Sequence, residues 1–178
     1  MSLKIVFMGT PEFSIPSLKV LKESKHKIVC VYTQPPKKKS RGQKIQKTAV
    51  HIFSENEGIK VKTNMLNDEN EYENFIKLNP DIVVVVAYGQ IIPDIYLKKH
   101  DLIFLNLHAS LLPKWRGAAP IERAILNKDK ETGISIMKIE KKLDAGPFIK
   151  QVTVKIDKET TSGELNKKLS ILGAKALM

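Results

Sequence analysis

The stretch Asp81-Ile-Val-Val-Val-Val-Ala87 sets four consecutive valines in an apolar run that continues to Tyr88. Strand side chains alternate between faces, so a run without a polar position must be covered on both. It reads as the central strand of a parallel sheet, and it is far too short to cross a bilayer. Outward from it, strand-like runs alternate with amphipathic stretches, the pattern of an α/β fold. Leu3 to Met8, Lys27 to Thr33, Ile59 to Lys62 and Leu102 to His108 read as further strands. Phe13 to Ser24, Thr48 to Glu57, Asp68 to Leu78 with Asn79-Pro80 as its stop, and about Pro120 to Asn127 read as helices. From Thr132 the texture changes: Gly133 to Ile139 and Phe148 to Ile156 alternate as strands outside the parallel core. Thr161-Ser162-Gly163-Glu164 then reads as a helix start, with Leu165, Leu169, Leu172 and Leu177 on one face.

Composition narrows the classes. The 178 residues suit one domain with a real core, and 42% of them are apolar. Thirty basic residues against 19 acidic give +11, which favours an anionic partner such as nucleic acid. Cys30 is the only cysteine, so an intrachain disulfide and a cysteine zinc cluster are both excluded, and its apolar surroundings predict a buried, inert thiol. The N-terminus lacks the apolar segment and cleavage site of a secretory signal. A cytoplasmic protein with no membrane contact is expected.

Four segments carry candidate chemistry. In Phe104-Leu-Asn-Leu-His-Ala-Ser-Leu-Leu-Pro-Lys-Trp-Arg-Gly-Ala-Ala-Pro-Ile121, Asn106 and His108 are two apart on a strand and leave the same face. An amide and an imidazole at a strand end could stabilise an oxyanion and move a proton, or simply satisfy neighbouring backbone. Ala87-Tyr88-Gly89-Gln90-Ile91-Ile92-Pro93 follows the four-valine strand, on the edge where open α/β sheets bind ligands. Its backbone could hold a flat heterocycle with Ile91 and Ile92 as an apolar wall, or it is an ordinary turn. Lys37, Lys38, Lys39, Arg41, Lys44 and Lys47 place six cations within 11 positions, with no acid from Gln34 through Ser54. Such a loop is either a solvated surface or a segment that folds onto RNA. In Leu143-Asp144-Ala145-Gly146-Pro147, Asp144 reads by default as a turn cap. The first turn, Met8-Gly9-Thr10-Pro11-Glu12-Phe13, has one glycine where a dinucleotide fingerprint needs three; Gly9 relieves the bend and Pro11 helps start the helix. His26, His51 and His100 show no ligand spacing, so no metal is expected, and Trp115 could stack on a base or cover the core edge.

These strings together resemble the formyltransferases that use 10-formyltetrahydrofolate. An Asn-x-His strand running into Ser-Leu-Leu-Pro-x-x-(Arg/Lys)-Gly is their signature, and the Met-Gly-Thr-Pro-Glu-Phe opening is similar to that of the methionyl-tRNA formyltransferase branch. The resemblance implies a Rossmann-like catalytic domain over 1–178, cut from or shortened against a longer protein whose C-terminal β-barrel is absent, and acting as a monomer. It implies Asn106, His108 and Asp144 as the catalytic group, with Asp144 reaching His108 through a water. The folate would lie on Tyr88, Gly89, Gln90, Ile91 and Ile92 together with Ser110, Leu111, Leu112 and Pro113. Initiator methionyl-tRNA would meet Lys37, Lys38, Lys39, Arg41, Lys44 and Lys47, with Arg41 matching the family's key arginine and the three-lysine run departing from its pattern. A formyltransferase for a nucleotide or sugar amine, and a non-catalytic RNA-binding module, stay open as alternatives.

Overall fold

A computed structural model describes residues 1–39 and 44–178, so Arg41 lies outside the described residues. The order is β1 (Lys4–Gly9), a single 3-10 turn (Glu12–Ser14), α1 (Ile15–Glu23), β2 (Lys27–Tyr32), β3 (Lys37–Lys39), β4 (Lys44–Gln46), α2 (Ala49–Asn56), β5 (Val61–Lys62), α3 (Glu71–Ile76), β6 (Ile82–Val86), α4 (Asp94–Leu97), β7 (Ile103–His108), α5 (Pro120–Leu126), β8 (Glu131–Lys138), β9 (Phe148–Lys155) and α6 (Ser162–Leu177). Seven strands form one sheet in the order β5-β2-β1-β6-β7-β8-β9. The first five are parallel, and β8 and β9 add antiparallel at one edge. This is the open, mostly parallel α/β sheet that the alternating pattern predicts.

β6 sits between β1 and β7, and all four of its valines are buried. Val84 and Val86 pack with Leu18 of α1 and Leu165 and Leu169 of α6. Val83 and Val85 face the other way, onto Phe75 of α3, Tyr96 of α4 and Phe104 of β7. Both faces of the sheet are therefore covered, and each fully buried leucine contributes about 1.5–3 kcal/mol of transfer free energy. Thr161 caps α6 as expected: its Oγ1 accepts from Glu164 N while its own N–H donates to the Glu164 carboxylate. Among the described residues no helix is long and apolar enough to cross a membrane.

Several boundaries differ from the sequence reading for local reasons. α3 is shorter because Asn70 takes a left-handed φ of 63° and the Asp68 carboxylate accepts from Met65 N, closing a turn before the helix begins. The four-residue α4 is too short for its periodicity to show in the sequence. The basic segment, read as a loop, contains the antiparallel pair β3–β4. Gly9 does not take a positive φ; a Cβ there would lie 2.7 Å from Phe7 Cε1 and 2.9 Å from Ser14 Cβ, so close approach rather than a bend requires the glycine.

The topology fixes where a ligand can sit. The chain moves from β1 outward through β2 to β5, then returns to β6 on the other side of β1. That reversal opens a crevice at the carboxyl ends of β1 and β6. Thr10 Oγ1 donates to Tyr88 O at 2.7 Å and Ser14 Oγ to Val86 O at 2.6 Å, joining the two strand ends across it.

Candidate active site

Asn106 and His108 share the face of β7 that also carries Phe104, as their spacing predicts. Beside β7, β8 runs the opposite way and ends at Lys138, opposite Leu105, so the segment between β8 and β9 leaves near the amino end of β7 and folds back along it to reach Asn106 and His108. Lys138 N–H closes that segment on Pro147 O at 2.9 Å. A Cβ on Gly146 would lie 2.1 Å from Lys138 O, so only glycine fits there. Asp144 stands in this strap, and folding rather than local spacing brings it to β7.

Asp144 is the hub of the site. Its Oδ1 accepts from Asn106 Nδ2 at 3.2 Å, and its Oδ2 accepts from Gly117 N at 2.8 Å. Oδ2 also lies 3.6 Å from His108 Nδ1. The carboxylate and the imidazole are 9% and 7% exposed, so their interaction is little screened by water. His108 Nε2 lies 2.9 Å from Trp115 O. A carbonyl only accepts, so Nε2 carries hydrogen, and Nδ1 is the ring nitrogen left to serve the cleft. Asp144 therefore stands beside His108 at ion-pair distance. Six positive-φ residues ring this point, namely Ala87, Gly89, Trp115, Gly117, Ala119 and Asp144. At the four that are not glycine, such strain persists only where surrounding contacts hold it.

The trio opens into a cleft of roughly 1270 Å³, which also takes in Tyr88 to Ile92, Gly117 to Ile121, Ile139 to Lys141 and Leu143. Tyr88 is buried, and burial pushes its phenol well above the usual range, so it stays protonated. Tyr88 Oη and Gln90 Nε2 are buried without hydrogen-bond partners among the described residues. Tyr88 and Gln90 themselves line the cleft, so these unpaired groups lie just behind its wall. Ile91 and Ile92 do not act alike: Ile92 is in the core, whereas Ile91 is 88% exposed at the cleft rim.

Ser110, Leu111, Leu112 and Pro113 do not line the cleft. Their turn is tied to the antiparallel edge instead. Leu112 N donates to Ser135 Oγ at 3.0 Å, Ser135 Oγ to Ser110 O at 2.7 Å, and Gln151 Nε2 to Leu112 O at 3.0 Å. Ser135 and Gln151 thereby hold the backbone of Ser110 and Leu112 in place. Lys37 and Lys47 do line the cleft, Lys38 is exposed beside them, and Lys39 and Lys44 belong to β3 and β4. Lys47 Nζ is shared with Glu55 at 2.7 Å. His51 also meets Glu55, four positions on along α2, at 3.2 Å. Sequence reasoning missed the backbone groups of Trp115 and Gly117, and the anchors Asp129, Ser135 and Gln151. Only Asp129 left a trace, as an acid just past the end of a helix.

An open α/β sheet that lines one cleft with a half-buried amide, an imidazole and a carboxylate has groups that can stabilise charge and move a proton, and the family follows from the comparisons. The model of the formyl transferase family matches residues 3–178, and the chain belongs to that family. Among curated relatives, the methionyl-tRNA formyltransferases of Pelagibacter ubique (strain HTCC1062) and Agrobacterium fabrum (strain C58 / ATCC 33970) are 51% and 48% identical over 100% and 99% of this chain. The chain spans 58% of each of those proteins, a little over half their length. Phosphoribosylglycinamide formyltransferases from Anaplasma phagocytophilum and Streptococcus pneumoniae share the fold, with TM-scores of 0.78 and 0.77 at 21% and 19% identity. Those matches cover 99% and 98% of this chain and 84% and 94% of theirs.

Proposed function

We propose that this chain is a catalytic domain that moves a formyl group from 10-formyltetrahydrofolate to the α-amino group of methionyl initiator tRNA, the reaction that formylates the first residue of translation. The observation that carries the reading is the convergence of Asn106 and His108 from β7 with Asp144 from the strap, at the floor of one cleft. The acceptor is supported by the relatives at about half identity, which are methionyl-tRNA formyltransferases, and by the basic segment at the cleft's edge.

When bound, 10-formyltetrahydrofolate supplies an electrophilic formyl carbon. Backbone and amide groups of Tyr88, Gly89 and Gln90 hold the pterin edge, while Ile92 walls the pocket and Ile91 covers its mouth. The Asn106 amide has a second N–H beyond the one given to Asp144, and this N–H and His108 Nδ1–H stabilise negative charge developing on the formyl oxygen. Asp144 keeps the protonated ring in place and would relay the proton shed by the attacking amine to N10 of the folate as the bond from the formyl carbon to N10 breaks, a task that suits a carboxylate bordering the cleft. No covalent bond to the protein is required. Lys37, Lys38 and Lys47, with Arg41 in the same segment, neutralise phosphates of the acceptor strand.

An acceptor competition tests the reading. The chain is given labelled donor with methionyl initiator tRNA and an amino nucleotide in equal supply. Label recovered on the aminoacyl-tRNA supports it, and label only on the nucleotide overturns the choice of acceptor.

A further inference from the structure

Trp115 is the one tryptophan of the chain, and its φ of 59° is a left-handed conformation that bulky residues avoid. Its carbonyl accepts from His108 Nε2 at 2.9 Å, and two residues later Gly117 N donates to Asp144 Oδ2 at 2.8 Å. The Trp115–Gly117 segment thus holds both titratable members of the trio through backbone groups alone. A strained segment needs an anchor, and the anchor is a side chain.

That side chain is Asp129. Its Oδ2 accepts from Trp115 Nε1 at 2.7 Å, while Lys114 Nζ and Asn127 Nδ2 donate to Oδ1, each at 2.7 Å. The carboxylate is only 5% exposed. Burial works against its charge, but the bonds from Lys114, Asn127 and Trp115 outweigh it and hold the carboxyl below the usual range. The Arg123 guanidinium lies 4.7 Å and the Lys114 ammonium 5.3 Å from the indole centroid, fixing the ring further. Asp129 follows the C-terminal end of α5, where the helix dipole disfavours an anion. Its position therefore serves its partners rather than the helix.

We infer that Asp129 is a positioning residue: its carboxylate fixes the Trp115 indole, and through it the Trp115 carbonyl that sets the orientation and proton placement of His108. Asp129 itself hydrogen-bonds to none of Asn106, His108 and Asp144. Its effect on turnover rests on the proposed formyl transfer, whereas its hold on His108 does not.

The test uses the full chain with Asp129→Asn, Trp115→Phe and Asp129→Glu. Asp129→Asn keeps the shape but sets an amide among three donors. Trp115→Phe removes the indole N–H and part of the ring that Arg123 and Lys114 face, leaving Lys114 and Asn127 on Asp129, so it carries the test if Asp129→Asn fails to fold. Isotope-edited NMR follows the His108 ring nitrogens, and Trp115 emission follows the indole in the two Asp129 variants. In wild type the Nε2 proton should be protected and its resonance single. Asp129→Asn and Trp115→Phe should expose that proton to exchange and shift the resonance, with Trp115 emission moving to the red in Asp129→Asn. Asp129→Glu should restore most of both signals. Turnover should fall about tenfold to a hundredfold with KM for the folate donor nearly unchanged, as for a small misplacement of a catalytic group. His108 resonances unchanged in folded Asp129→Asn and Trp115→Phe overturn the inference. Shifted resonances in a chain that formylates nothing uphold the positioning and sink the proposed reaction instead.

Discussion

Asn106 Nδ2 donates to Asp144 Oδ1 at 3.2 Å, joining two residues 38 positions apart and tying the end of a buried strand to the strap that crosses it. The bond orients the amide and satisfies one carboxylate oxygen. The next strand residue on that face, His108, meets the other oxygen's side of the same carboxylate at 3.6 Å.

Replacing the donor by an acceptor tests this arrangement. Asn106→Ala should lower kcat by about two to three orders of magnitude, the usual loss for one oxyanion donor. Asn106→Asp should do worse at neutral pH, because it sets two carboxylates against each other at hydrogen-bond distance. Steady-state kinetics of both variants check the order. A fully active Asn106→Asp rules out the charge arrangement described here.

The basic segment predicts a salt dependence with internal contrast. Lys37 and Lys38 are exposed, whereas Lys47 already shares its ammonium with Glu55. Lys37→Ala or Lys38→Ala should each reduce the slope of log affinity for tRNA against log salt by about 0.7–0.9. Lys47→Ala should reduce it less, because its charge is partly compensated in the free chain. Equal slopes for all three variants and wild type would remove the segment from the RNA-binding face.

Much of this was readable in advance where a local rule applies. Val83 to Val86 announced a strand covered on both faces, and the two-residue spacing of Asn106 and His108 put them on one side of it. Asp144 could not be reached that way, since only the β8 reversal brings it near, and its place came from a family resemblance. The Trp115 carbonyl and Gly117 N–H left no signature, because every residue carries those groups and only the left-handed backbone aims them. Ser110 to Pro113 were placed by the family resemblance, and the hold of Ser135 and Gln151 on Ser110 and Leu112 was not legible, because those partners lie 23 or more positions away and meet them only through the antiparallel edge. Ile91 and Ile92 read as one wall, but a turn, unlike a strand or helix, has no fixed period to say which side chain goes in.

Packing behind the site gives a stability prediction. A Cβ on Gly173 of α6 would come within 2.6 Å of Leu107 Cδ1, and Leu107 lies between Asn106 and His108. Gly→Ala in a helix interior gains about 0.5–1 kcal/mol, and overpacking costs about 1–3 kcal/mol. Gly173→Ala should therefore destabilise the chain by about 1 kcal/mol net, measured by denaturant unfolding, and should lower activity more than its stability loss explains.

Cys30 gives a pH prediction. It is fully buried, and burial pushes its thiol from the ordinary 9.0 up to about 11. The unfolded chain gives up this proton first, so stability is intact below pH 9 and falls as pH rises from there towards 11. Cys30→Ala should flatten that part of the stability–pH curve, and native Cys30 should resist thiol reagents at neutral pH. Rapid labelling of the folded chain contradicts the assignment.

The most direct measurement is a single-turnover assay of formyl transfer from 10-formyltetrahydrofolate to methionyl initiator tRNA, comparing wild type with Asp144→Ala and His108→Ala, with uncharged tRNA as control. The account predicts formylmethionyl product on charged tRNA only, with both variants slowed by about two to four orders of magnitude while folate binding is kept. Wild-type rates in either variant, or product on uncharged tRNA, would contradict it.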